Sequence, residues 1–239
     1  MAFCCIFQIG HLVSSVSMSK LVLIGDSRVR ALSYSESNIF CVCDFTPGAT
    51  TYDLYNNVER VCSNNRDVKY IYIASGICGL TSRLKGSSGE KYEEVIVQDL
   101  STKLDTEKEA VENLQNFILR HDALPVFCTC YPLSLEDWNM NRMSKSKTIA
   151  LKHQQDYGYM QQQLHDIIKE FNSHIVETNG ILKLTTPLIH TTLIHNRGNS
   201  KNSTFKYNWL YDGCHPNEKM ANKMMDTIAK AHRRNTLAC

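Results

Sequence analysis

The chain alternates short, uninterrupted apolar runs with longer polar stretches of helical period. Lys20–Ile24 ends at Gly25, Ile39–Phe45 at Pro47-Gly48, Tyr70–Ala74 at Ser75-Gly76, and Val126–Cys130 at Tyr131-Pro132. Runs of this length without polar alternation suit strands buried on both faces. Ile175-Val176 is a shorter, fifth candidate. Helices are expected after Ser27, from Thr50 to Cys62 (Leu54, Val58 and Val61 on one face), and from Ile149 to Phe171. A further one, Tyr92 to Arg120, repeats Val95, Leu100, Leu104, Val111, Leu114 and Ile118, and the last, Asn217 to His232, buries Met220, Met224 and Ile228. Strand–helix alternation over this length predicts an α/β protein with three α/β/α layers and a five-stranded parallel sheet.

Two segments interrupt the pattern. Pro132 to Lys147 is polar but carries Trp138 and Met140, and reads as a flap beside a pocket. Asn196 to Asn208 is rich in Gly, Asn, Ser and Lys and reads as a loop. It holds the triplet Asn202-Ser203-Thr204, a glycosylation acceptor only in a secreted chain.

Composition narrows the class. Lys and Arg number 26 against 24 Asp and Glu, a net charge of +2, so no global field favours nucleic acid or an acidic membrane. Eleven Gly and five Pro are too few for a low-complexity chain. No linker divides the sequence, and one domain is expected over 20–235. The apolar stretch Ala2–Val13 is too short to span a bilayer. It lacks a preceding Lys or Arg, so residues 1–19 read as a poorly ordered leader ahead of Met18; a signal peptide cut near Ser15-Val16-Ser17 is the alternative. The ten cysteines do not form a disulfide framework. Cys41 with Cys43, and Cys128 with Cys130, sit two apart in apolar runs, each pair facing one side of a strand. Neither pair has zinc-knuckle spacing. A reduced, cytoplasmic chain with no membrane span follows as the expectation.

Chemistry concentrates at two places. Gly25-Asp26-Ser27 follows the first strand, and ligands of open parallel sheets collect at the carboxyl ends of strands. Asp and Ser there are also ordinary helix N-caps. Asp212-Gly213-Cys214-His215-Pro216 precedes the last helix. A serine hydroxyl needs a base to take its proton, and histidine oriented by a carboxylate supplies one near neutral pH. Alone, that second motif reads equally as a turn capped by Asp212 with an idle His215. Cys214 reads as a spacer in the turn, and His190 and His195 as loop residues. Lys219, Lys223, Lys230, Arg233 and Arg234 read as a solvated basic helix face, with weak nucleic-acid contact as the sharper alternative.

Taken in order, these motifs resemble the SGNH (GDSL-type) hydrolase superfamily, and the resemblance runs from about Lys20 to Lys230. Gly25-Asp26-Ser27 matches the first block, with Arg28 where many members carry Leu. Pro47-Gly48-Ala49 is similar to the second block, and Asp212 and His215 match the last. The resemblance implies a flavodoxin-like sheet and a serine esterase whose triad is Ser27, His215 and Asp212. The implied oxyanion donors are the N–H groups of Ser27 and Gly48 together with position 78. There the family carries Asn in Gly-x-Asn, whereas this chain reads Gly76-Ile77-Cys78. A thiol is a weak donor beside an amide, so a slow enzyme is expected. The expected substrate is a small carboxylic ester, with no metal and no organic cofactor required. Nucleic acid is not an expected partner, and the oligomeric state stays open. The alternative reading is a non-catalytic binding or accessory module that kept the fold, similar to domains encoded by mobile elements.

Overall fold

The computed structural model describes residues 20–35, 41–65, 67–85, 93–145, 151–195 and 204–238. In chain order the elements are β1 (Leu21–Gly25), α1 (Ser27–Leu32), β2 (Cys41–Phe45), α2 (Tyr55–Asn64), β3 (Tyr70–Ala74), α3 (Ile77–Leu80), β4 (Ser82–Lys85) and β5 (Glu93–Ile96). They continue with α4 (Leu100–Leu119), β6 (Leu124–Phe127), α5 (Leu135–Lys145), α6 (Tyr157–Ile181), β7 (Ile194–His195), β8 (Thr204–Phe205) and α7 (Glu218–Leu237). The expected leader over 1–19 and most of the glycosylation triplet lie outside the described residues. Among the described residues, no helix is long and apolar enough to cross a membrane.

The central sheet is parallel, in the order β2-β1-β3-β6. Its apolar runs are continuous because both faces are covered. Val22, Ile24, Ile71 and Ile73 point into a core shared with Leu54, Val58, Leu114 and Phe171. Leu21, Leu23, Tyr70 and Tyr72 point into a second core with Val29, Met220, Met224 and Ile228. Helices α1 and α7 thus cover one face, while α2, α4 and α6 cover the other.

Among the described residues the sheet has four strands rather than the expected five. Ile175-Val176 lies inside α6, where Leu164, Ile168, Phe171 and Ile175 continue a helical stripe into the core and Val176 is exposed. Two buried asparagines on α6 stand where a fifth strand would pair. Asn179 accepts from the Phe127 N–H at 3.0 Å and donates to its carbonyl at 2.8 Å. Asn172 does the same for Cys130 at 2.6 and 2.8 Å. Seven residues of helix and three of extended chain both advance about 10 Å, so the two amides match the outward-facing groups of β6 and its extension.

Other boundaries move for local reasons. Strand β6 spans Leu124–Phe127, not Val126–Cys130. The Cys128 N–H still reaches the Ile73 carbonyl at 2.7 Å, but that of Thr129 turns away to Pro187. Cys128 and Cys130 therefore enter opposite cores, contrary to the expected single face. Cys41 and Cys43 do share a face, with sulfurs 3.5 Å apart. Seven cysteines among the described residues are unbridged. Val95 belongs to the antiparallel β4–β5 hairpin, not to a helix; α4 starts only at Leu100, after Asp99 takes a left-handed conformation (φ 50°). Within the segment expected as a flap, Leu135–Lys145 form helix α5, started by Ser134, whose hydroxyl accepts from the Asp137 N–H at 3.2 Å.

Two buried polar constructions underlie the carboxyl rim of the sheet. Asp26 is fully buried and Arg28 is 5% exposed. The Arg28 guanidinium donates to the Asp26 carboxylate from Nη2 at 2.7 Å and from Nε at 3.0 Å, and its Nη1 donates to the Tyr131 carbonyl at 3.2 Å. It also lies 4.6 Å above the Tyr131 ring. Nearby, Glu107 accepts from the Thr51 hydroxyl at 2.6 Å, Thr51 contacts the Ser75 hydroxyl at 2.9 Å, and the Glu107 carboxyl packs against Gly79 of α3. Burial pushes Glu107 from 4.5 up to about 7, although the Thr51 hydrogen bond pulls the other way.

Arg28→Ala is expected to lower unfolding stability by about 3–5 kcal/mol, because it leaves a buried carboxylate unpaired. Denaturant unfolding checks this, and the Asp26→Ala/Arg28→Ala pair should cost less than the two single changes summed; additive costs would show that the pair does not act as a unit. For Glu107 the folded protein holds the proton more tightly than the unfolded chain. Its contribution is therefore fully present below about 4.5 and declines as pH rises through about 7. The stability difference between wild type and Glu107→Gln should fall across that window by up to about 1.4 kcal/mol per pH unit. A difference that stays flat would refute the assignment.

Candidate functional site

Three loops at the carboxyl ends of β1, β2 and β3, and the turn before α7, meet at one cleft of about 950 Å³. Ser27 opens α1 directly after Asp26, whose carboxylate caps the helix by accepting the Arg28 N–H at 2.9 Å. The cap fixes the turn, and Ser27 is left at the cleft wall. Gly48, in a turn closed by the Ala49 N–H on the Thr46 carbonyl, has a φ of +75°, a conformation open to glycine but strained for other residues. It lines the same cleft, as does Cys78 of α3.

The Asp212–His215 turn is pinned from beneath. The Ser134 N–H donates to the Gly213 carbonyl at 2.7 Å. Gly213 has a φ of +83°, and a Cβ there would lie 2.4 Å from the Trp138 nitrogen, so helix α5 presses the turn into place. Asp212 accepts the Cys214 and His215 N–H groups at 3.0 and 2.8 Å on one oxygen. Its other oxygen lies 2.8 Å from His215 Nδ1. Burial pushes the Asp212 carboxyl up, but the hydrogen bonds from His215 and Cys214 outweigh it and hold the group below its ordinary value. With Nδ1 donating to an ionised carboxylate, Nε2 is left to accept. It stands 2.9 Å from Ser27 Oγ, across 188 positions of sequence.

The ring of His215 is held on two sides. Trp138 meets it edge-on with centroids 5.4 Å apart, and Tyr211 stacks on it at 5.6 Å with planes 19° apart. Cys78 is pushed up to about 12 by burial, with the Asp26 charge adding to the effect, so it lines the cleft as a neutral thiol. Burial keeps Cys214 a thiol as well, which fits its reading as a spacer rather than a nucleophile.

All five residues singled out from the sequence, Ser27, Gly48, Cys78, Asp212 and His215, thus gather at or directly behind one cleft. His190 does not join them. It packs on Thr129, with Nδ1 2.8 Å from that hydroxyl, and is not among the residues lining the cleft. The side chain of His195 lies outside the described residues. On the basic tail, Lys219 and Lys223 join Lys206 around the Trp209 ring at 5.2, 4.7 and 4.7 Å. Sequence reasoning missed Tyr211 and the cleft arginines Arg30, Arg83 and Arg142. Arg30, three positions after Ser27 on a helix, was open to discovery by spacing; Arg83 and Arg142 carry no local signal.

No family model matches the chain, and no curated protein matches it. The likeness is structural. An acylhydrolase candidate from Bacteroides fragilis superimposes with a TM-score of 0.62 at 12% identity, covering 92% of this chain and 88% of that one. A GDSL-like lipase from Bacteroides thetaiotaomicron gives 0.60 at 10% identity, with 91% and 89% covered. The OSK domain of Drosophila Oskar gives 0.52 at 15% identity, with 87% and 86% covered. The comparisons lend no support to a mobile-element branch. Over most of its length, the chain has the α/β fold of the GDSL-type (SGNH) lipolytic hydrolases.

Proposed function

We propose that the protein is a serine hydrolase that cleaves carboxylic esters through an acyl-enzyme intermediate. The observation that carries this reading is the unbroken contact chain Ser27 Oγ–His215 Nε2 at 2.9 Å and His215 Nδ1–Asp212 Oδ2 at 2.8 Å, opening on a cleft. Ser27 Oγ attacks the ester carbonyl while Nε2 takes its proton, and Asp212 stabilises the imidazolium. The carbonyl oxygen becomes an oxyanion, met by the N–H groups of Ser27 and Gly48 and by the weak S–H donor of Cys78. Collapse breaks the bond to the alcohol, which leaves with the proton from His215. Water then attacks the acyl-Ser27 ester by the same route in reverse, releasing the acid. The reading calls on no metal or organic cofactor.

Cys78 sets the expected rate. Removing one well-aimed oxyanion donor slows enzymes of this type by roughly 10²–10³. Turnover of a short-chain chromogenic ester should therefore be measurable but slow.

Two outcomes are expected. Ser27→Ala should lower ester turnover on the order of 10⁴-fold and abolish covalent labelling by a fluorophosphonate; equal turnover in the two proteins would remove Ser27 from the chemistry, and a folded wild type that resists labelling would favour a binding module. Cys78→Asn should raise kcat by on the order of 10² with little change in KM, because the restored amide acts on the oxyanion. No change, or a fall in kcat with the fold intact, would show that position 78 is not a donor.

A further inference from the structure

Three distant segments of the chain meet at one buried carboxylate behind the cleft. Glu107 lies on α4 and is 2% exposed. It accepts from the Thr51 hydroxyl at 2.6 Å, and the Thr51 oxygen lies 2.9 Å from the Ser75 hydroxyl. Thr51 and Ser75 are themselves buried. Because the Thr51 proton goes to Glu107, Ser75 is the donor to Thr51, so one carboxylate orders both hydroxyls. The same carboxyl lies against the backbone of Gly79, in the space a Cβ there would take.

These contacts fall beside the two segments that carry Gly48 and Cys78, which line the cleft together with Ser27. Thr51 follows Gly48 by three positions in the loop after β2, Ser75 precedes Cys78 by three in the segment after β3, and Gly79 follows Cys78 directly. Helix α3 has only four residues, too few to hold its own shape, so its position depends on what packs against it. Helix α4 grips it at a second point: Lys103, one turn before Glu107, donates to the Thr81 carbonyl at 2.6 Å. Burying a carboxyl is costly, and an apolar side chain could fill the same volume. What Glu107 supplies that leucine could not is an acceptor for Thr51. Donors for an oxyanion act only when they are aimed, and a misplacement of about 1 Å can cost on the order of 10²-fold in rate.

We propose that Glu107 is a positioning residue for this site, which through Thr51, Ser75 and Gly79 holds the loop carrying Gly48 and the turn carrying Cys78 in fixed register. This rests on the hydrolase reading for the role of the two donors, but not for the coupling of the two segments. A carboxylate carried on a 20-residue helix is a rigid reference for both.

The test uses four variants. Glu107→Leu keeps the volume and removes the acceptor, Thr51→Val does the same for the hydroxyl, Gly79→Ala drives a methyl against the carboxyl, and Glu107→Gln keeps an acceptor in place. The first three should lower kcat for a short-chain chromogenic ester by roughly tenfold to a hundredfold, with KM within about twofold of wild type. Glu107→Gln should restore most of that loss. Amide hydrogen exchange needs no turnover: in Glu107→Leu it should quicken over residues 46–51 and 75–81 and keep the wild-type rate in β1 and α7. Unchanged kcat in Glu107→Leu, or a loss as deep in Glu107→Gln as in Glu107→Leu, would overturn the inference. Exchange that quickens along the whole chain would do so too, since it marks a general loss of stability. Should the wild type hydrolyse no ester, quickening confined to the two segments would sustain the coupling while sinking the esterase. Unchanged exchange in those segments would overturn the inference and leave the Ser27 chemistry standing.

Discussion

The buried pair of Asp26 and Arg28 is the constraint on which the site depends. Burying two charges is costly unless each is paired and hydrogen-bonded, and here both are. Asp26 takes the Arg28 backbone N–H as well as the guanidinium, so one carboxylate caps α1 and neutralises the cation. The guanidinium turns Nη1 to the Tyr131 carbonyl, with the Cys130 sulfur at 3.9 Å, and lays its flat face on the Tyr131 ring, beyond the end of β6. The Tyr131 hydroxyl in turn points to the Cys214 carbonyl at 3.5 Å, the long end of a hydrogen bond. A polar chain thus runs beneath the cleft from the Ser27 turn to the His215 turn. It gives a physical account of how two segments 188 positions apart keep a 2.9 Å contact.

The same economy of buried amides explains why the described sheet ends at β6. An open edge on β6 would leave backbone groups without partners inside the protein. Asn172 and Asn179 satisfy them from α6, and the Asn139 side chain does the same for Val95 of β5 from α5, at 2.8 and 2.7 Å. In each case a planar side-chain amide offers one donor and one acceptor, as a neighbouring strand would. None of the three is visible as a sheet element in the sequence, because asparagines within polar helical stretches look like surface residues. The expected fifth strand failed for that reason: edge pairing was sought in an apolar run, and it is supplied by polar side chains.

What the sequence made legible is what depends on local pattern. Strands buried on both faces announce themselves, and Tyr70–Ala74 is found as read. Loop signatures following those strands pointed to Ser27, Gly48 and Cys78, and the short Asp212–His215 spacing pointed to a pair that one turn brings together. What was not legible depends on packing between distant segments. The Pro132–Lys147 stretch is polar enough to read as a flap, yet it folds as α5 because Ser134 caps it, Asn139 is buried against β5, and Trp138 packs toward His215. Arg28 stands where many members of the resembled family carry Leu, but the sequence does not reveal that its partner is Asp26, two positions earlier, which reads there only as part of the Gly-Asp-Ser block or as a helix cap.

Cys78 bears on how the proposed chemistry would run. An amide at position 78 would stabilise an oxyanion by a short, aimed hydrogen bond, which is worth most when its geometry is right. A thiol held protonated by burial gives up most of that bond but adds no negative charge near the developing one. Under the proposed ester hydrolysis the oxyanion would therefore rest chiefly on the N–H groups of Ser27 and Gly48, whose backbone is fixed by the cap of α1 and by the turn in which Gly48 takes its positive φ.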